Sequence, residues 1–228
     1  MSGGNPPLLA DVLRPVTHVL LDFDGPVCGV FAGLPAPEVA RRLRLALPDT
    51  GQDQAVGTAE TDPLALLRLV TDAHPELTAS TDAALTALEV EAVRTARPNP
   101  GGESVLRSCA ATGRRVSIVS NNSGAAISQY LADHGLSGLV AGIFGRVPGD
   151  PSSMKPSPLL LLDAMQAAAT KPEHCVFVGD AARDVEAGEA AGVRTIGYAN
   201  KPGKYAKLAA AGAVMIVDSM ELISGALA

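Results

Sequence analysis

At 228 residues, with 47% hydrophobic and 18% charged side chains, the chain has ordinary globular proportions and enough apolar surface to bury a core without disulfide staples. Its net charge of −6 argues against nucleic acid as a partner, and no apolar run reaches the ~18 residues of a membrane span, so a soluble cytoplasmic protein with no membrane contact is expected. Three cysteines without a metal-ligand spacing, Cys28, Cys109 and Cys175, fit free thiols in a reducing compartment, and residues 1–7 read as a loose leader lacking the features of a signal peptide.

The first predicted element is a buried strand. Val16, Val19, Leu20 and Leu21 form a short apolar run suited to a parallel sheet covered on both faces, and Asp22 and Asp24 follow it directly, beside Gly25. Two carboxylates so close repel each other and call for a cation. The glycines and prolines from Gly25 to Pro37 cannot sustain a helix and predict a turn or small hairpin. Helical spacing of apolar residues then predicts three helices, Glu38 to Leu47, Pro63 to His74 and Thr78 to Arg97, the second started by Asp62 and Pro63. Pro98-Asn99-Pro100-Gly101-Gly102 closes this all-helical insert.

Beyond it, strand and helix alternate. A helix from Glu103 to Thr112 leads to a strand from Arg115 to Val119 with Ser120 at its end, then through Asn121 to Gly124 into a helix reaching about His134, whose start beside the Ser120 hydroxyl would make an anion site. A strand around Leu139 to Phe144 is followed by Lys155 and a helix from Leu159 to Ala169; a strand from Cys175 to Val178 is followed by Gly179, Asp180 and a helix carrying Asp184 toward Ala191. Val193 to Gly197, Tyr205 to Ala211 and Val214 to Val217 complete the series as strand, helix and strand. Such alternation predicts an α/β fold with a parallel sheet between two helical layers. Asp22, Asp24, Ser120, Lys155, Asp180 and Asp184 then converge on one sheet edge, carboxylates for a hard cation such as Mg²⁺ and a hydroxyl and an ammonium for phosphoryl oxygens.

The order and spacing of these residues, with a helical insert after the first of them, resembles the haloacid dehalogenase-like superfamily, in its Mg²⁺-dependent, phosphoglycolate phosphatase-like branch. The resemblance implies a Rossmann-like core over residues 1–28 and 98–228 with a helical cap over residues 29–97. It implies that Asp22 is the nucleophile and forms an aspartyl-phosphate, and that Asp24 is the general acid and base. Ser120, with Asn121 beside it, and Lys155 would bind the phosphoryl group. Asp22, Asp180 and the main-chain carbonyl of Asp24 would hold Mg²⁺, supported by Asp184. Pro26 stands where that family commonly has threonine, removing one hydroxyl and one backbone N–H beside the nucleophile loop. The implied activity is hydrolysis of a small phosphorylated metabolite; the alternatives are a phosphomutase of the same superfamily and a weakened phosphate-binding protein. No oligomeric state is specified.

Competing motifs lack their context. Cys109 and Arg115 have the spacing of a cysteine-dependent phosphatase, but the cysteine falls late in a helix and the arginine opens a strand. The insert is expected to close as a mobile lid hinged at residues 29–37 and 98–102. Arg41 and Arg44, on one face of its first helix, are its candidates for gripping a second anionic group of the substrate.

Overall fold

The computed structural model describes residues 8–48 and 60–228, and the leader expected over residues 1–7 lies outside them. Its centre is strand β1 (His18–Leu21), in which every residue is buried. Chain order then gives β2 (Cys28–Gly29), β3 (Arg97–Pro98), β4 (Arg115–Ser123), β5 (Gly142–Arg146), β6 (Cys175–Gly179), β7 (Arg194–Tyr198) and β8 (Met215–Val217). Six of these make a parallel sheet of order β5-β4-β1-β6-β7-β8, with Leu21 opposite Ile118 on one side and Val178 on the other.

Alternation along the strands divides the core in two. Val19 and Leu21 join Val116, Ile118, Val176 and Val178 on one face, while Leu20 joins Val119, Cys175 and Phe177 on the other. The first face is covered by α1 (Leu9–Leu13), α5 (Pro100–Ala111), α6 (Gly124–Asp133) and α10 (Met220–Leu227), the second by α7 (Leu159–Ala167) and α8 (Ala182–Ala190). Full burial of Leu20 and Leu21 contributes roughly 1.5–3 kcal/mol each. Between β7 and β8 runs α9 (Lys204–Ala210).

The insert carries α2 (Ala36–Leu45), α3 (Pro63–Ala73) and α4 (Thr78–Val93), which bury a separate core around Val39, Leu43, Leu66, Leu67, Val70 and Leu85. Asp62 starts α3 as predicted, its carboxylate accepting from the Leu64 N–H at 2.9 Å. Met154, from the loop before α7, is also buried in this cluster.

Several boundaries differ from the sequence reading, each for a local reason. Instead of continuing to Arg97, α4 ends at Val93; Pro98 biases Arg97 to extended backbone, and Arg97–Pro98 pairs antiparallel with Cys28–Gly29. The expected hairpin is thus a ribbon between the two segments that join the insert to the sheet. Helix α5 starts at Pro100 rather than Glu103, since the Asn99 side chain accepts from the Gly101 N–H at 3.2 Å and Pro100 suits the first helical position. Strand β4 runs past Val119 to Ser123, and the next helix begins only at Gly124 with Ser123 as its cap. Helices α1 and α10 were not anticipated.

Candidate active site

Going along the chain, β4 and β5 are added on one side of β1 and β6 to β8 on the other, so the carboxyl end of β1 lies at the point where strand order reverses. Asp22 stands there. Its N–H continues the ladder to the Val178 carbonyl at 2.9 Å, and its Oδ1 accepts from the Phe23 N–H at 2.8 Å. The chain then turns: the Val27 and Cys28 N–H groups both reach back to the Phe23 carbonyl, at 3.1 and 3.2 Å, and Gly25 takes a φ of 112°. A Cβ at Gly25 would lie 2.3 Å from Asp180 Oδ2, so both backbone and space demand glycine. The turn places Asp24 with its Oδ1 accepting from the Val30 N–H at 2.9 Å, and burial raises its pKa.

Lys155 is fully buried, with its Nζ 2.8 Å from Asp22 Oδ1 and 2.7 Å from Asp184 Oδ1, and it donates to the Val119 carbonyl at 3.1 Å. Burial alone would lower its pKa, but the carboxylates of Asp184 and Asp22 hold it raised. Asp184 is buried rather than a helix-surface residue; its Oδ2 accepts from the Ala181 N–H at 2.9 Å at the start of α8. Asp180 pairs with Lys204 Nζ and accepts from Asn200 Nδ2 at 2.9 Å.

Asp22, Asp180 and Asp184 each offer an oxygen, all within 4.8 Å of one another. Burial, opposed by Lys155 and reinforced by Asp184 and Asp180, pushes the Asp22 pKa up to about 7. Positive charge beyond that of Lys155 would favour the ionised form of Asp22. Three converging hard oxygen donors fit a divalent cation such as Mg²⁺.

A cavity of about 680 Å³ opens over this cluster. Asp22, Asp24, Lys155 and Asp180 line it together with Ser120, Asn121 and Asn122. The pairing of β4 with β5 shifts register between Val119 and Ser123, so these three residues bulge out of the ladder toward the cavity. Ser120 Oγ accepts from the Asn122 N–H at 3.3 Å and donates to Asn122 Oδ1 at 3.2 Å. Asn121 is pinned to the backbone of Lys155, accepting from its N–H at 2.8 Å and donating to its carbonyl at 3.1 Å. The expected helix start beside Ser120 is replaced by this bulge, with the helix four residues on.

Arg41 and Arg44 do not line the cavity, contrary to the expectation that they face the substrate. Arg41 forks onto Glu38 at 2.7 Å and Arg44 donates to the Glu60 carbonyl at 2.8 Å. Besides Lys155, the cations that the described residues place in the wall are Arg97, Arg183, Lys201 and Lys204. Asn99, Tyr198 and Asn200 were also missed: Asn99 Nδ2 donates to the Gly25 carbonyl and to Tyr198 Oη, both at 3.0 Å, bracing the turn after the acidic pair. Tyr198 ends β7, a further strand end on the same edge, and that position was the available signal. Cys109 lies buried in α5, its thiol pushed up to about 11 by burial, as an inert core residue.

Comparison with known proteins agrees with this geometry. The chain is 28% identical over 198 residues to phosphoglycolate phosphatase 1 of Pseudomonas aeruginosa, covering 82% of this chain and 64% of that protein. It is 37% identical over 108 residues to a phosphoglycolate phosphatase of Cereibacter sphaeroides, covering 45% and 47%. The chain thus spans less than two thirds of the length of the curated relatives it matches, from 35% to 64%. Among solved structures, a putative haloacid dehalogenase-like hydrolase from Bacteroides fragilis aligns with a TM-score of 0.71 at 20% identity, over 90% of this chain and 98% of that one. CbbY from Rhodobacter sphaeroides, solved in complex with phosphate, aligns with a TM-score of 0.65 at 18% identity, over 90% and 95%. At these identities the structural likeness is one of fold. The family profile of haloacid dehalogenase-like hydrolases matches residues 70–198, more than half of the chain, and the chain belongs to that family.

Proposed function

We propose that the protein is a Mg²⁺-dependent phosphatase that hydrolyses small phosphorylated metabolites through an aspartyl-phosphate on Asp22. The observation that carries this reading is the buried Lys155 ammonium held between Asp22 and Asp184 at the reversal of strand order, with Asp180 completing a three-carboxylate cluster. Asp22, Asp180 and the main-chain carbonyl of Asp24 would hold the cation, with Asp184 in support. Bound there, Mg²⁺ would supply the charge that keeps Asp22 ionised and offsets the repulsion between carboxylates and a phosphate dianion.

In the first step a carboxylate oxygen of Asp22 attacks phosphorus, the ester P–O bond breaks, and the Asp24 carboxyl gives its proton to the departing alkoxide. In the second, water attacks the same phosphorus, Asp24 takes its proton, and inorganic phosphate leaves with Asp22 restored. Burial raises the pKa of Asp24 and so favours the protonated form that this step needs. Ser120, Asn121 and Lys155 would cradle the phosphoryl oxygens.

The cavity, walled by Leu64 and Arg97 from the insert, suits a small ligand, and residues 29–97 act in this reading as its cap. The names of the curated relatives favour a phosphorylated small acid, whose carboxylate Arg97, Arg183 or Lys201 would meet. Phosphate release from a panel of small phosphate esters tests the reading. Turnover is expected with Mg²⁺, and none with chelator or in Asp22→Asn of unchanged circular dichroism. Full turnover in either condition refutes the mechanism.

A further inference from the structure

We infer that Glu89, on α4 of the insert, is a positioning residue for the phosphate-binding bulge Ser120–Asn122. The inference rests on the phosphatase reading of the site. Glu89 does not line the cavity and has no exposed surface. Its carboxylate nevertheless reaches across from the insert to the far end of the bulge. Oε1 accepts from the side-chain Nδ2 of Asn122 at 3.1 Å, and Oε2 accepts from the Ser123 N–H at 2.9 Å.

Asn122 in turn fixes the Ser120 hydroxyl from two directions, through its N–H and its Oδ1. The hydroxyl oxygen is therefore located whichever way its proton points, and rotation about Cβ–Oγ can turn that proton to a phosphoryl oxygen. A bulge leaves the ladder and loses the hydrogen bonds that hold a strand in place. Here Glu89 replaces them at one end, while Asn121 is tied to Lys155 at the other.

Only an ionised carboxylate meets the demand made on this side chain. Besides Asn122 and Ser123, Arg146 donates to it twice, from Nη1 at 3.0 Å and from Nη2 at 3.2 Å, so four donors converge on two oxygens. Glutamine has the same shape but one accepting oxygen, and its amide hydrogens would confront donors. Asp82 is the internal control. It pairs with the same guanidinium, from Arg146 Nε at 2.5 Å, and accepts from the Gly149 N–H, and it meets the bulge only through that arginine, whose Nη1 also donates to the Asn121 carbonyl at 2.9 Å.

The test is binding of inorganic phosphate in saturating Mg²⁺ by calorimetry, together with hydrogen exchange at the amides of residues 120–123. In Glu89→Gln phosphate affinity should fall tenfold or more and these amides should exchange faster, while Asp82→Asn, destabilised through the same arginine, should bind within twofold of wild type. Asn122→Ala keeps the Arg146–Glu89 pair and should lose at least fivefold in affinity; this variant decides the matter if Glu89→Gln fails to fold. Equal losses in Glu89→Gln and Asp82→Asn, or unchanged affinity in a folded Glu89→Gln or in Asn122→Ala, overturn the positioning role alone. A wild type that takes up no phosphate refutes the phosphatase reading and the positioning role with it.

Discussion

Lys204 illustrates what a single side chain can do to a metal site. Its ammonium pairs with Asp180, a carboxylate that the proposed cation needs, and a positive charge there competes with any divalent ion entering the cluster. Lys155, by contrast, is buried between Asp22 and Asp184 and cannot be removed without stranding two carboxylates. Lys204 is about a quarter exposed, so its replacement by methionine should leave the fold intact, as circular dichroism would check. Lys204→Met should bind Mg²⁺ several-fold more tightly than wild type, read by calorimetry without substrate, and weaker binding would mean that the ammonium supports the site instead of competing for it. At this scale much of the site was legible. Asp22, Asp24, Ser120 and Asp180 each follow a hydrophobic strand closely enough for position to imply convergence, and Lys155 stands in the loop between such a strand and the next helix. Lys204 and Asn200 were not, because they sit in the Pro/Gly-rich loop and helix start after β7, where spacing does not say which way a side chain turns. Arg41 and Arg44 misled because sharing a helix face does not tell whether that face looks to the cavity.

Among the elements, α4 departs most from the sequence reading. A lid hinged at its two joins should touch the sheet domain lightly, yet α4 sends Asp82, Thr86 and Glu89 to one buried arginine, Arg146 at the end of β5. On α3, Arg68 donates to the Lys155 carbonyl at 2.9 Å, and Met154 is buried in the insert's own core. The joins themselves are paired as a ribbon. Swinging the insert away as a rigid body would separate Arg146 from Asp82 and Glu89 and break this buried ion network. Replacing Arg146 by methionine leaves Asp82 and Glu89 without their counter-charge, at a cost of about 3–5 kcal/mol by the usual magnitude for breaking a buried pair. At roughly 2–4 °C per kcal/mol for a chain of this size, calorimetry should find Tm lowered by about 10 °C. A loss below about 2 °C would show that the network contributes little to holding α4. Apolar periodicity correctly marked α4 as a helix but is blind to such a network, since Asp82 and Glu89 read as solvated charges until Arg146 is brought beside them by the fold.

For the whole molecule, two buried groups make stability depend on pH in opposite senses. His18, at the start of β1, is buried with its Nδ1 3.0 Å from Thr170 Oγ1 and its Nε2 2.9 Å from Ser117 Oγ. Burial, with Arg115 nearby, lowers its pKa from 6.5 to about 4. The unfolded chain therefore takes up a proton at this residue below about pH 6.5 that the folded chain refuses until about pH 4, and stability is lost as pH falls through that window. Asp22 works the other way. With its folded pKa raised from 3.8 to about 7, the folded chain keeps a proton that the unfolded chain has released, so stability falls as pH rises between those values. The two windows overlap, and the wild-type profile measured in chelator is their sum with all other groups.

Subtracting a variant separates them. In His18→Gln the amide can still meet Ser117 or Thr170 but has no proton to gain, so the acid-side loss should disappear from its profile. The difference in Tm between wild type and His18→Gln should shift steadily against the wild type from about pH 6.5 down to about 4 and level off outside that range. Saturating Mg²⁺ should flatten the opposing Asp22 contribution in both proteins and leave this difference unchanged, because His18 stands at the opposite end of β1 from the acidic cluster. Parallel Tm profiles for the two proteins across that range would mean that His18 takes up its proton in the fold as readily as in the unfolded chain, and acid sensitivity would then have to arise elsewhere.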